Sequence, residues 1–221
     1  MMSVRFKSMI ALAALAAGCT DLNKQSVQAV VPPAQPTKTE VWQGIANPAD
    51  RDRLANVSGA WAAGLAAAKR NFGSAIREEG ALLREDAGQV RPAPTPGSYS
   101  CRAITLGARA RGKPALERFK PFFCYVQLEG EVLTIVKQTG SQRPAGRLWQ
   151  DDNNNRLIFL GTLALGNEEE ARAYGEDPKR DMAGVFERIA PFEWRLVIPF
   201  TQSGARLDVF ELTPVAEQPK E

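Results

Sequence analysis

The stretch Thr139 to Leu148 gathers hydroxyl, amide and guanidinium groups between two strand-like runs, and Arg143 is held extended by the proline that follows it. At the mouth of a barrel such a stretch can grip a carboxylate or phosphate, with Arg143 offering a planar fork of donors and Ser141 and Gln142 assisting. In the plainer reading, glycines shape a loop and Arg143 bonds a carbonyl or an acid such as Asp181. A second polar group, Tyr174, Asp177, Arg180 and Asp181, falls in a long connection. Its carboxylates would serve acid–base chemistry if a groove held two of them about 5 to 9.5 Å apart, and would otherwise decorate a surface loop. In Trp194-Arg195, alternation puts the indole inside and the guanidinium outside, with ligand stacking on Trp194 the rarer use of such a ring. Ser141, Gln142, Arg143, Asp181 and Arg195 are therefore the candidate ligand-binding residues.

Other chemistries are excluded or weak. The 221 residues contain no histidine, which removes Ser-His-Asp and Cys-His nucleophile systems and every His-ligated metal site. Asp151, Asn153 and Asn155 match the opening of a calcium loop, but Arg156 stands where that loop needs glycine and Thr162 where it needs a bidentate glutamate, so a polar hairpin turn is expected. Gly161 and Gly166 belong to no phosphate-binding pattern. No metal and no cofactor is expected. Setting Arg5 and Lys7 aside from 28 basic residues leaves 26 against 25 acids, a near balance with no global field for nucleic acid.

Three cysteines mark the compartment. Arg5 and Lys7, an apolar run from Met9 to Ala17 and then Gly18-Cys19 read as an export signal over residues 1–18, too short to span a bilayer that needs about 20 apolar residues. Leu15-Ala16-Ala17-Gly18-Cys19 resembles a bacterial lipobox, which implies acylation of Cys19 and a membrane tether through that lipid. An ordinary signal cleaved after Ala16 or Ala17 would instead leave Cys19 a free thiol. In an exported chain Cys101 and Cys124 are then expected to pair, contributing about 3 kcal/mol by the chain-entropy model. The expected location is the periplasmic side of a bacterial envelope, with Thr20 after the cysteine favouring the outer membrane over the inner.

These groups must be positioned by two kinds of element. Residues 19–41 are polar and proline-bearing and read as a disordered tether. From 42 to 90 a helical segment is expected: Asn47 caps, Pro48 opens, and Leu54, Val57, Trp61, Leu65, Ala68, Phe72 and Ile76 form one apolar stripe that packs on the domain's own sheet. Pro92, Pro94 and Pro96 mark a boundary, and residues 97–214 then follow the strand period, with long connections only at 107–121 and 166–182. Eight short strands in meander order predict an α+β fold, the helical segment packed on a small, lipocalin-like antiparallel barrel of about eight strands. Residues 215–221 read as a disordered tail.

Asp50-Arg51-x-Arg53-Leu54, Ala60-Trp61, Pro96-Gly97-x-Tyr99-x-Cys101, Phe122-x-Cys124, Thr139 to Pro144, Phe159-Leu160-Gly161, Arg180-Asp181-x-x-Gly184-Val185, Trp194 to Val197 and Asp208-Val209-x-Glu211-Leu212 together resemble a family of alphaproteobacterial envelope proteins known as domain of unknown function 4893. The resemblance covers residues 42 to 214 and implies architecture without an activity. The expected function is a non-enzymatic binding module for a small ligand or an envelope protein. The alternatives are a cell-wall-acting hydrolase or an inhibitor of one, using Asp177 and Asp181, and a purely structural envelope lipoprotein with exposed apolar surface around Trp61 and Phe72.

Overall fold

The computed structural model describes residues 34–166 and 168–216; the signal segment, Cys19 and the tether up to residue 33 lie outside them, as do residues 217–221 of the expected tail. Regular structure begins earlier than the sequence pattern indicates. Helix α1 (Lys38–Ile45) opens on a capping box in which Thr37 and Glu40 satisfy each other's backbone N–H groups. Its Trp42 is buried and donates from Nε1 to Asp151 at 3.0 Å, while Thr39 donates its hydroxyl to the same carboxylate at 2.7 Å. The polar hairpin turn at Asp151 to Asn155 is also the seat of α1: Arg156 closes it with a 2.5 Å bond to Asp151, whose carboxyl is raised by burial but held below its usual range by the hydroxyl, guanidinium and indole donors.

Helix α2 (Pro48–Ala55) starts as expected, with the Asn47 side chain accepting from the Asp50 N–H at 2.8 Å. The apolar stripe is then cut at Asn56, and α3 (Val57–Glu78) carries the rest of it, bending at Phe72 just before Gly73. Two 3-10 turns, Gly80–Leu83 and Glu85–Ala87, lead to the proline boundary.

The strands are β1 (Gly97–Leu106), β2 (Leu116–Arg118), β3 (Phe122–Glu129), β4 (Val132–Lys137), β5 (Gln142–Gln150), β6 (Leu157–Leu165), β7 (Asp181–Ala190), β8 (Glu193–Pro199) and β9 (Leu207–Pro214). All pair antiparallel in meander order, and β9 returns to β1 along eight residue pairs, Tyr99 with Pro214 through Leu106 with Leu207. Eight strands close the barrel. The ninth, β2, lies in the connection read as irregular and continues the β3 edge of β1: residues 97–101 pair with β3 and 104–106 with β2. Closure leaves no long unpaired edge among the described residues.

Alternation along the strands produces separate cores. Tyr99, Cys101, Cys124, Val126, Ile135, Leu148, Leu157, Phe159, Phe186, Trp194, Leu196, Ile198 and Leu212 fill the inside. Outside, α3 and the 3-10 turns bury Ile104, Leu106, Val197, Leu207 and Val209 beneath Trp61 and Leu82, and α1 and α2 bury Ile158, Leu160, Ala183 and Val185 beneath Trp42 and Leu54. Trp61 is 1% exposed and Phe72 packs on the same core, so the stripe around them is spent within the domain. Cys101 and Cys124 are bonded inside the barrel, 6.0 Å apart at Cα, on the neighbouring strands β1 and β3.

Candidate functional site

The inside of the barrel is not uniformly filled. At one end Tyr99 meets Trp194 edge-on at 5.9 Å, with Leu148, Leu157 and Phe186 in the same interior core. The waist is made by Phe159, whose ring lies against the bare backbones of Gly146 and Gly161, paired across β5 and β6. A Cβ on Gly146 would come within 2.7 Å of that ring and 2.4 Å of the Gly161 Cα. Beyond the waist, at the end where β1, β4, β6 and β8 finish and β5, β7 and β9 begin, the barrel opens into a cavity of about 690 Å³.

Each wall residue follows from strand parity. Ala103, Phe122, Pro144, Leu163, Met182, Ile198 and Phe210 line the cavity with apolar surface, and each shares a strand face with a residue of the interior core. Lys137, Gln142 and Asp208 occupy interior positions on β4, β5 and β9 and bring polar atoms into that wall. The rim is built by Arg109, Phe119 and Lys120 from the β1–β3 connection, Thr139 and Gly140 from the β4–β5 turn, Lys179 and Arg180 before β7, Thr201 to Ser203 before β9, and Arg53 from α2.

The charges sort into two kinds. Arg53 pairs with Asp50 at 2.5 Å, Arg180 with Glu168 at 2.5 Å and Asp177 at 3.3 Å, and Arg109 with Asp208 at 3.3 Å. Lys120, Lys137 and Lys179 have no ion pair among the described residues. Lys137 is half-buried, with its ammonium 4.2 Å from the centre of the Phe122 ring, and burial pushes it below its ordinary pKa of 10.5. Asp208 accepts the Thr105 hydroxyl, yet burial outweighs that bond and Arg109 and raises its carboxyl above the usual range.

Of the five residues singled out from sequence, Gln142 alone presents a side chain to the cavity as an exposed wall group; Asp181 backs the wall from a fully buried position. Its oxygens accept from the Gly175 N–H at 2.9 Å and from Asn47 Nδ2 at 3.3 Å; Asn47 also bonds Asp50 at 2.8 Å. Tyr174 donates to Asp50 at 2.6 Å, its hydroxyl pushed above the ordinary value by burial and that carboxylate. The Tyr174 and Asp181 group is therefore a clamp joining α2 to β7. Asp177 is committed to Arg180 and Arg172 and does not line the cavity.

Ser141 and Arg143 do not reach the cavity. The stretch read as a loop is strand from Gln142 on, so alternation turns Arg143 outward, where it donates to the carbonyls of Gly140 at 3.1 Å, Gly166 at 2.7 Å and Glu168. The Ser141 carbonyl accepts from Gly166 at 2.8 Å. Arg195 does face outward as expected, but the 3-10 turns cover it completely and its donors are consumed by Glu187 and four backbone carbonyls. Lys137 was not singled out, although a signal existed: in Leu133, Ile135, Lys137 a charge occupies the third position of an inward-facing series.

The model of the family DUF4893, a domain of unknown function, matches residues 42–212. The chain belongs to that family. No curated protein and no solved structure matches it. The DUF4893 span runs from Trp42 to Leu212, the first and last buried residues among those described, so the helical layer and the barrel form one family unit. Arg53, Gln142, Pro144, Arg180, Asp181 and Asp208, all within the motifs quoted above for the resemblance, line or back the cavity of this DUF4893 barrel.

Proposed function

We propose that this DUF4893 protein is a cell-envelope lipoprotein that binds a small ligand in the open end of its barrel without transforming it. The carrying observation is the contrast within one barrel: one half is packed with aromatic side chains, while the other leaves about 690 Å³ open between apolar walls and polar rim groups. That volume lies within the roughly 300–1,000 Å³ of ordinary small-molecule sites. Export is supported by the signal-like start, the lipobox-like Cys19 and the pairing of Cys101 with Cys124, which suits an oxidising compartment. A lipid on Cys19 then tethers the domain to the membrane, facing the periplasm, with the outer membrane favoured. Non-catalytic binding is supported by the state of the acids at the cavity: Asp181 is fully buried and held by Gly175 and Asn47, and Asp208, though it lines the wall, is already engaged by the Thr105 hydroxyl and Arg109.

The test uses a neutral, environment-sensitive fluorophore, N-phenyl-1-naphthylamine. Saturable one-site binding is expected, together with its loss in Leu163→Trp, which places an indole in the cavity wall, at an unchanged melting temperature. Equal binding by the variant, or none by the native chain, overturns the ligand-binding reading. Metabolic labelling with palmitate should mark the native chain and not Cys19→Ala; label on both would refute the anchor.

A further inference from the structure

The cavity is chemically graded from floor to rim. Its floor is closed by Ile135, Phe159, Leu196 and Phe210, which with the stem of Lys137 leave a void of only about 10 Å³. Lys137 stands opposite Cys124 on the inner face, and its ammonium extends toward the β4–β5 turn, where a Cβ added to Gly140 would lie 3.6 Å from Nζ. The side chain therefore gives its methylenes to the apolar wall and its charge to the mouth, where Lys120 and Lys179 add two further cations without ion pairs among the described residues.

We propose that the ligand is a single-chain amphiphile with an anionic head, carboxylate or phosphate, bound tail-inward with the head on Lys137; this assignment rests on the ligand-binding reading above. A cationic ligand would meet three lysines. A neutral apolar ligand would further desolvate an ammonium that faces the Phe122 ring and has no ion pair among the described residues. A compact polar anion would leave the apolar floor wet. An amphiphilic anion answers floor and rim together. The cavity, about 690 Å³ and open at one end, has the size of an ordinary small-molecule site and accommodates an alkyl chain with its head at the mouth.

The test is calorimetric titration of the purified full chain with dodecanoate, dodecyl phosphate and dodecan-1-ol below their aggregation thresholds. At least one anion should bind on the order of tenfold more tightly than the alcohol. A lead for the phosphate assigns a phospholipid-derived head; a lead for the carboxylate assigns a free fatty acid. In Lys137→Met, which keeps the length of the stem, the advantage should shrink severalfold while the affinity for the alcohol does not fall. Independently of any variant, the native chain's advantage should shrink as ionic strength rises from about 0.01 M to about 1 M, which shortens the screening length from roughly 30 Å to roughly 3 Å. An alcohol bound as tightly as both anions, or an advantage untouched by salt or by Lys137→Met, overturns the anionic assignment and leaves the ligand-binding reading standing. Binding of none of the three overturns both.

Discussion

Arg195→Leu should be among the most damaging single changes in this protein. The guanidinium is fully buried; Nε and Nη2 grip Glu187 at 2.7 and 2.6 Å, Nη1 reaches the carbonyls of Ala81, Leu82 and Arg84 at 3.2, 3.1 and 2.7 Å, and Nη2 reaches that of Glu85 at 2.8 Å. Its carbon lies 4.9 Å from the centre of the Trp61 ring. The residue thus collects the carbonyls of two 3-10 turns, which have few backbone partners of their own, and ties them to β7 and β8. Leucine fills part of the volume but strands Glu187 and those carbonyls. Removing one partner of a buried ion pair costs about 3–5 kcal/mol, which for a chain of this size is roughly 6–20 °C in melting temperature. Urea and thermal unfolding measure it directly. The double variant Arg195→Leu with Glu187→Leu should recover part of the loss, because the stranded carboxylate is gone. A single variant within about 1 kcal/mol of the native chain, or a double variant no more stable than Arg195→Leu alone, would refute this account of Arg195.

Two further outcomes follow from geometry and charge. Gly161→Ala puts a Cβ 2.3 Å from the Ala145 carbonyl and 2.5 Å from the Phe159 ring, so the waist must spread at a cost of about 1–3 kcal/mol, read as a lower urea midpoint; an unchanged midpoint would show that the β5–β6 pair is not closely apposed. Burial raises the Glu79 carboxyl, but Arg102 and Arg118, each at 2.6 Å, bring it below its ordinary 4.5; that contribution is therefore present above 4.5 and is lost as pH falls through the lower folded value. Urea midpoints followed from pH 7 downward should fall most steeply below 4.5, and Glu79→Gln should flatten that fall; an equal slope in both proteins would exclude Glu79 as a source.

The parts of the architecture legible in the sequence were those that depend on local pattern. Alternation in Phe122 to Leu128 and in Trp194 to Pro199 reports which side chains share a face, and the Asn47-Pro48-Asp50 start reports a helix end. The missed elements lacked such a pattern or masked it. β2 has three residues, too few to alternate visibly, and β5 opens with Gln142 to Ala145, where Pro144 reads as loop. Pro144 is tolerated there because β4 pairs with β5 only from Ala145 on. Alternation gives the correct face for Arg195, but whether that face meets water depends on where the turns after α3 land, some 110 residues earlier in the chain. For the same reason Arg143 drew attention by composition, while Lys137, whose importance is its place on a closed inner surface, did not.

The division of cores bears on how an eight-stranded barrel can keep one end open. A barrel that relied on its interior alone would lose packing in proportion to the open volume. Here β1 and β6 to β9 are also packed from outside, under Trp61 and Leu82 on one flank and Trp42 and Leu54 on another, and Glu79 ties the end of α3 to Arg102 on β1 and Arg118 on β2. The disulfide joins β1 to β3, between strands that the helices do not cover on the β3 side. External burial thus holds the strands whose inner faces bound the cavity at Met182, Ile198 and Phe210, so those inner positions need not be filled to keep the wall in place. If the proposed ligand binding holds, stability and binding are separable by face: outward-facing residues of β8 and β9, such as Val197 and Val209, carry the fold, and inward-facing neighbours at the mouth are left to the proposed ligand.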